Sequence, residues 1–262
     1  MLIDVHCHLT GREYERVGGV TAVLDRARAA GVKAVVCSAF DMDSSYRAAE
    51  LANRFADVYF CAGFQPQELK KYRDGDLERI AALANHPKCV GIGEIGLDYH
   101  YPDNPLKEQQ KEIFERQIRL ADAAGLPVVV HSRDAAADTL EILRANRAFL
   151  KNGALLHCYS YSKEMVGEFA ALGMYFSLGG TSTYKNAKKI HENARAIPAD
   201  RLLSETDSPY LTPEPFRGSF PNEPEKVKYV VENLARLREE KKEELEERIF
   251  ANAKRLFPRL KA

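Results

Sequence analysis

A (β/α)8 barrel, an α/β fold with one domain over residues 1–262, is what this sequence predicts. Three observations lead to it. Eight short apolar runs alternate with amphipathic stretches from one end of the chain to the other, the pattern of parallel βαβ units. The runs are continuously apolar rather than alternating, as expected when both faces of a strand are covered. The segment after the first run reads His6-Cys7-His8, where the rival open, doubly wound sheet usually carries a glycine-rich phosphate loop.

In chain order the predicted strands are Leu2–Val5, Ala34–Ala39, Val58–Gly63, Val90–Ile95, Pro127–His131, Ala154–His157, Met174–Leu178 and Leu202–Glu205. Helical stretches lie between them, among them Val20–Ala30, Ser45–Phe55, Leu106–Ala124 and Ala135–Phe149. Gly31, Gly125 and Gly173 each follow an alanine-rich helix end and precede the next strand, the place for a residue just past a helix C-terminus. Ser132 and Ser162 are placed to cap the helices that follow them. The charged stretch Lys226–Leu256 predicts the last barrel helix plus one more. No repeat or interdomain linker interrupts the series.

Composition narrows the class. Apolar residues at 45% and charged residues at 29% are ordinary globular values, so disorder and a membrane-embedded chain are excluded. Lys+Arg and Asp+Glu both number 38, so there is no basic coat for gripping long duplexes. A pocket that takes a few nucleotides stays open to it. The five cysteines, Cys7, Cys37, Cys61, Cys89 and Cys158, lie in or beside strand runs without CxxC spacing, which predicts reduced, buried thiols and a cytoplasmic protein. The start Met1-Leu2-Ile3-Asp4 has no basic or long apolar leader, and no run approaches the ~20 residues of a membrane span. A monomer without signal or anchor is expected.

Barrel enzymes place their chemistry at the C-terminal ends of strands. Side chains alternate along a strand, so His6 and His8 share a face and Cys7 points away. Strand 4 delivers Glu94, strand 5 ends at His131, strand 6 at His157, and strand 8 runs into Glu205-Thr206-Asp207. Four of the seven histidines and two acids thus converge on one rim. Imidazole with carboxylate suits zinc, manganese or iron, and so many ligands can serve two ions with Glu94 between them. His86 precedes strand 4 and belongs at the opposite end of the barrel; His191 sits in a charged helix. His100 follows strand 4 and overlooks the mouth.

The motifs Asp4-Val5-His6-Cys7-His8-Leu9, Gly91 to Tyr99 around Glu94, His131-Ser132-Arg133-Asp134, His157-Cys158-Tyr159-Ser160 and Glu205-Thr206-Asp207-Ser208-Pro209-Tyr210 carry a resemblance. With Arg217-Gly218 and Asn222-Glu223-Pro224, they make the chain resemble the TatD family of metal-dependent nucleases among the amidohydrolase-like barrels, nearly end to end. The resemblance implies that His6, His8 and Asp207 bind one ion, that His131 and His157 bind a second, and that Glu94 bridges. It implies magnesium, manganese or zinc as cofactor, and a deoxyribonuclease acting as a 3′-5′ exonuclease on single-stranded DNA ends. One stretch departs from the pattern. After strand 3 the family usually has Gly-x-His-Pro-His, and here Gly63-Phe64-Gln65-Pro66-Gln67 stands instead. A glutamine can hold a phosphate oxygen but cannot move a proton near neutral pH.

On this reading Asp207 is both ligand and proton acceptor for a metal-activated water. Glu94 and Glu205 complete the catalytic set; Glu205, sharing the inward face of Asp207, is placed to orient a ligand or receive a proton, or else is structural. Asp4 stands in the same relation to His6 and reads as a buried structural acid. Arg133, two residues past His131, is placed for a two-pronged phosphate contact or a salt bridge to Asp134 or Asp98. Gln65, Gln67, Asp98, Tyr210, Arg217 and Asn222 are the remaining candidates for substrate contact, and Asp98 is also placed to orient a ligand or contact Arg133. The loop Ser208–Pro224, long for a βα turn, offers Phe216 as a further stacking group. Two other classes remain. An amide or ester hydrolase, such as a D-aminoacyl-tRNA deacylase, uses the same ligands and calls for a narrow apolar pocket. A phosphodiesterase calls for a basic mouth around Arg133, Arg217 and Lys185. A barrel without activity would ignore chelator.

Overall fold

The computed structural model describes residues 1–261. Among them, eight parallel strands follow one another around one sheet in chain order. They are β1 (Leu2–Cys7), β2 (Val32–Ser38), β3 (Val58–Ala62), β4 (Cys89–Asp98), β5 (Val128–Arg133), β6 (Ala154–Leu156), β7 (Met174–Leu178) and β8 (Leu202–Ser204). The ring closes beyond β8: Asp207 N donates to the His6 carbonyl at 3.0 Å and His8 N to the Ser208 carbonyl at 2.7 Å. The predicted (β/α)8 barrel is the fold observed.

The barrel helices are α1 (Gly19–Ala29), α2 (Met42–Arg54), α3 (Asp76–Ala84), α4 (Lys107–Ala124), α5 (Ala136–Ala145), α6 (Lys163–Ala170), α7 (Lys188–Ala196) and α8 (Val227–Arg238). Each turns an apolar stripe inward; α4 buries Ile113, Phe114, Ile118 and Ala121 on one face. Gly31, Gly125 and Gly173 take left-handed backbone conformations where predicted. Helix α2 starts at Met42, three residues before the predicted Ser45. Its start is set by Asp41, which accepts from Ser44 N while Ser44 Oγ accepts from Asp41 N, both at 2.9 Å.

Two local expectations fail and a third holds in position only. The helix predicted over Ala135–Phe149 ends at Ala145 and continues as a short 3-10 turn over Arg147–Phe149. Ser132 caps nothing, because its hydroxyl is taken by Thr139 Oγ1 at 2.6 Å and Tyr161 Oη at 2.7 Å. Ser162 does occupy the N-cap position of α6, but its side chain makes no capping hydrogen bond.

The lower end of the barrel is sealed. Helix α9 (Lys242–Leu256) buries Leu245, Ile249, Phe250 and Leu256, and Asn252 Nδ2 donates to the carbonyls of Ala199 and Leu202 at the foot of β8. Arg259 donates to the carbonyls of Ala84, His86 and Cys89 at the foot of β4. Chemistry is left to the upper end. Among the described residues all five thiols are free, and no helix is long and apolar enough to cross a membrane.

One glycine brings β4 against β5. Gly96 pairs with His131, and a Cβ built at Gly96 would lie 2.0 Å from the His131 carbonyl oxygen, at a backbone φ of +140°. Both facts require glycine there. Gly96→Ala is expected to cost about 2–4 kcal/mol through overpacking and strain. A urea unfolding midpoint equal to that of the parent would contradict this close approach.

Candidate metal centre

The upper mouth gathers every predicted ligand. Strand alternation puts Asp4, His6 and His8 on the inner side of β1 and just beyond it. Asp4 lies deepest: it accepts from Thr206 N at 2.9 Å and from Thr206 Oγ1 at 2.5 Å, tying β1 to the chain after β8. Burial pushes its carboxyl up to about 8, so it is the structural acid the sequence suggested. The registers of β1 against β2 and of β4 against β5 are irregular where His6 and Glu94 turn inward. Asp207 has φ 51, left-handed for a non-glycine residue, which swings its carboxylate toward His8.

Two donor groups share one carboxylate, and a third set of possible donors, His6, His157 and Glu205, lies beneath them. In the first, His6 Nε2 lies 3.3 Å from His8 Nε2, and Asp207 Oδ1 lies 3.2 Å from His8 Nε2 and 3.6 Å from His6 Nε2. In the second, His131 Nδ1, His157 Nε2 and Glu94 Oε1 are separated by 2.7, 3.0 and 3.3 Å. Glu94 turns its other oxygen to the first group, with Oε2 3.4 Å from His6 Nε2 and 3.5 Å from His8 Nε2. Tetrahedral ligands about 2.1 Å from a zinc ion are ~3.4 Å from one another, so the spacing fits a first coordination shell. Glu94 Oε2 is buried with no hydrogen-bond partner, a cost that a cation would remove.

The electrostatics agree with a cation site. Burial opposes charge on Glu94, but His157 and His131 outweigh it and hold its carboxyl well below the usual range. Burial likewise opposes charge on Asp207, and its hydrogen bond with His8 overcomes that. Burial also disfavours the charged form of His157, yet Glu94 and Glu205 keep its imidazole well above its ordinary value. Burial and the stacked His157 ring, 3.8 Å away, push His6 down. Burial opposes charge on His131 as well, and Asp98 and Glu94 outweigh it and raise its imidazole, so without metal the carboxylates draw on both histidines where a divalent ion would take over.

Three of the four imidazoles are hydrogen-bonded from behind, as metal-binding histidines commonly are, and the fourth, His157, faces a carboxylate. Ser38, at the end of β2, serves two of them: its hydroxyl is 3.0 Å from His6 Nδ1 and its carbonyl accepts from His8 Nδ1 at 2.9 Å. Sequence reading passed over Ser38, and only its place at a strand's C-terminal end pointed to it. His131 Nε2 donates to Asp98 Oδ2 at 3.0 Å. Glu205 Oε1 stands 3.7 Å from His157 Nδ1, while Glu205 Oε2 accepts from Ser177 Oγ at 2.5 Å.

Several predicted roles change with this geometry. Glu205 is fully buried behind His157 and does not line the cleft, which leaves it, of the roles expected, the one beside a ligand histidine. Asp98 is also fully buried, its oxygens taken by His131, Gln67, His100 N and Asn104, which removes it from substrate contact. Asn222 is buried too: its Nδ2 holds the Thr206 and Tyr210 carbonyls, so it shapes the loop from beneath. Arg217 packs 4.0 Å over the Tyr184 ring and Phe216 packs on Tyr229, both away from the cleft. His100 pairs with Asp134 at 2.8 Å outside it.

The cleft above the donors has a volume of about 660 Å³. Gln65 and Gln67 line it, with Phe40 and Tyr210 toward one side and Tyr101 and Arg133 toward the other. Arg133 makes neither expected salt bridge. Its guanidinium lies 5.1 Å over the Tyr101 ring and donates to Tyr101 Oη at 3.2 Å. Tyr101 and Phe220 are exposed aromatics that the sequence did not single out; Phe220 lies 6.5 Å from Tyr210, ring to ring.

Comparison with known proteins agrees with this centre. A family model described as TatD related DNase matches residues 3–258. The uncharacterized metal-dependent hydrolase YabD of Bacillus subtilis is 42% identical over 98% of this chain and 99% of its own. The 3′-5′ ssDNA/RNA exonuclease TatD of Cronobacter turicensis is 35% identical over 98% and 97%. The crystal structure of YjjV, a TatD homologue from Escherichia coli, superposes with a TM-score of 0.91 at 32% identity, covering 98% of both chains. The chain belongs to the TatD family of metal-dependent hydrolases.

Proposed function

We propose that this hydrolase is a deoxyribonuclease that removes nucleotides from single-stranded DNA ends in the 3′-5′ direction. Two divalent ions, zinc, magnesium or manganese, would be held by His6, His8 and Asp207 and by His131 and His157, with Glu94 between them. The observation that carries the reading is the pair of donor groups sharing Glu94 on the floor of a cleft rimmed by Arg133 and aromatic rings. The relative named a 3′-5′ ssDNA/RNA exonuclease supports it. The free thiols are consistent with action in the reducing cytoplasm.

When bound, the ions supply Lewis acidity, bringing the pKa of a water near neutrality and offsetting phosphoryl charge. The protein's own residues do the rest. Asp207, the carboxylate at the cleft wall, accepts the proton of the attacking water. Glu94 holds the two donor groups in register. Arg133 faces the cleft with free guanidinium donors, suited to a phosphate oxygen. Its ring partner Tyr101 and Tyr210, both in the cleft lining, offer flat faces on which unpaired bases stack.

Arg133→Ala is expected to raise KM for an oligonucleotide about 10- to 100-fold, the worth of a hydrogen bond to a charged group, with little change in kcat. Steady-state kinetics at saturating metal decide it; an unchanged KM removes Arg133 from phosphate binding.

A second reading has one observation behind it. Among the cleft-lining residues Arg133 is the only Lys or Arg, since Arg217 packs elsewhere and Lys185 is outside the lining. One cation matches a single phosphate beside an ester, as at an aminoacylated nucleic-acid terminus. Hydrolysis of an end-labelled single-stranded oligonucleotide, by chelated and then metal-restored protein, tests the first reading. Stepwise terminal loss supports it. No cleavage, with hydrolysis of an aminoacyl ester instead, transfers the assignment to the second.

A further inference from the structure

The Gln65-Pro66-Gln67 stretch follows β3 and leans onto the upper end of the adjacent β4. Gln65 Nε2 donates to Glu94 Oε1 and Gln67 Nε2 donates to Asp98 Oδ2, both at 3.0 Å. A carboxylate only accepts, so both amide nitrogens must face β4 and both amide oxygens must turn away from it. An amide oxygen cannot donate to a phosphate. Each amide nitrogen commits one N–H to a carboxylate on β4 and keeps a second, so both side chains are anchored to β4 while they line the cleft.

Their carboxylate partners serve one donor group. Glu94 Oε1 is the oxygen beside His131 Nδ1 and His157 Nε2. Asp98 Oδ2 is the oxygen that accepts from His131 Nε2. The other Asp98 oxygen accepts from His100 N at 2.9 Å and Asn104 Nδ2 at 3.0 Å, so Gln67 completes its shell. The stretch is itself braced: Gln65 N donates to the Phe40 carbonyl, and the buried Gln117 side chain bonds both Phe64 N and Phe64 O. The amides add no positive charge. They fix both carboxylates while leaving their full negative charge to attract a cation.

We infer that Gln65 and Gln67 are positioning residues that clamp Glu94 and Asp98, and through them His131, so that the His131–His157–Glu94 group is preorganised for a divalent ion. The inference rests on the two-ion reading above but not on the nuclease reading, because its test needs no substrate.

The test is calorimetric titration of metal-depleted protein with Mn(II) and with Zn(II). In Gln67→Leu one ion should bind ten- to hundredfold more weakly, the usual cost of losing an outer hydrogen bond, and the other within about twofold of the parent; in Gln65→Leu, which frees the shared Glu94, at least one ion should weaken by the same ten- to hundredfold. Gln67→His, which restores an N–H donor, should recover most of the loss. At saturating metal, KM for the hydrolysed substrate should stay within about twofold. Unchanged metal affinities in both leucine variants overturn the clamp, as does a raised KM with metal binding intact, which would make the glutamines substrate contacts. A parent protein that binds a single ion sinks the two-ion reading instead. Weakening of that single ion by Gln67→Leu would then still support the clamp, and an unchanged affinity would overturn it. Thermal melts of the metal-free variants separate these outcomes from misfolding.

Discussion

Asp207→Asn is expected to lower kcat by about 10³-fold or more while leaving the barrel folded. The carboxylate stands 3.2 Å from His8 Nε2 and reaches the cleft wall, so it can both ligate and accept a proton. Proton transfer by a positioned side chain is worth about 10²–10⁴ in rate. Asparagine keeps an oxygen for a cation but cannot take the proton. The loss should therefore appear in kcat at saturating metal, with KM nearly unchanged and metal binding only weakened. A kcat within tenfold of the parent would assign the proton to another group and leave Asp207 as a ligand alone.

His157→Ala should have the second large effect, on two observables at once. The group formed with His131 and Glu94 keeps only two of its three donors, so one ion should be lost from the titration and turnover should fall by orders of magnitude. The metal-free protein should also lose stability. His157 lies between Glu94 and Glu205, both buried, and removing one member of such a set costs about 3–5 kcal/mol. Burial disfavours its charge but the two carboxylates prevail, so the folded-state pKa is raised. Its stabilising contribution is then fully present below the unfolded imidazole value of about 6.5 and is lost as pH rises through the raised folded-state value. Thermal melts of chelated parent and variant across this range should converge at high pH. A gap that persists there would mean that His157 acts by packing and not by charge.

The comparison of sequence with structure separates two kinds of information. Strand order and the rim positions of His6, His8, Glu94, His131, His157 and Asp207 could be read because a strand's period of two and the barrel's polarity fix both face and end. What a neighbouring strand presents could not be read that way. Ser38 serves two histidines through contacts with β1, a relation across 30 and 32 residues of chain. Glu205 shares the inward face of Asp207, as alternation requires, but it lies one layer deeper, and depth leaves no trace in a periodic pattern. Loops were least legible. Asn222 and Arg217 looked like ligand contacts in a polar, aromatic stretch, and the folded loop turns one inward as a brace and lays the other on Tyr184. Tyr101 was passed over because nothing local tells an exposed tyrosine beside a cleft from one on open surface.

Glu94 turns one oxygen to each donor group, and if both groups take an ion, as proposed, this would make them thermodynamically dependent. A cation entering either one draws on the same negative charge and fixes the same rotamer. The second occupant thus finds less charge but a carboxylate already in place. These influences oppose one another, and by reciprocity whatever the first ion does to the second, the second does to the first. The fraction of fully loaded protein need not follow a simple saturation curve in free metal. It can be graded or steep, according to which influence wins. A single side chain would thereby set how abruptly this hydrolase switches on as the supply of divalent ions changes.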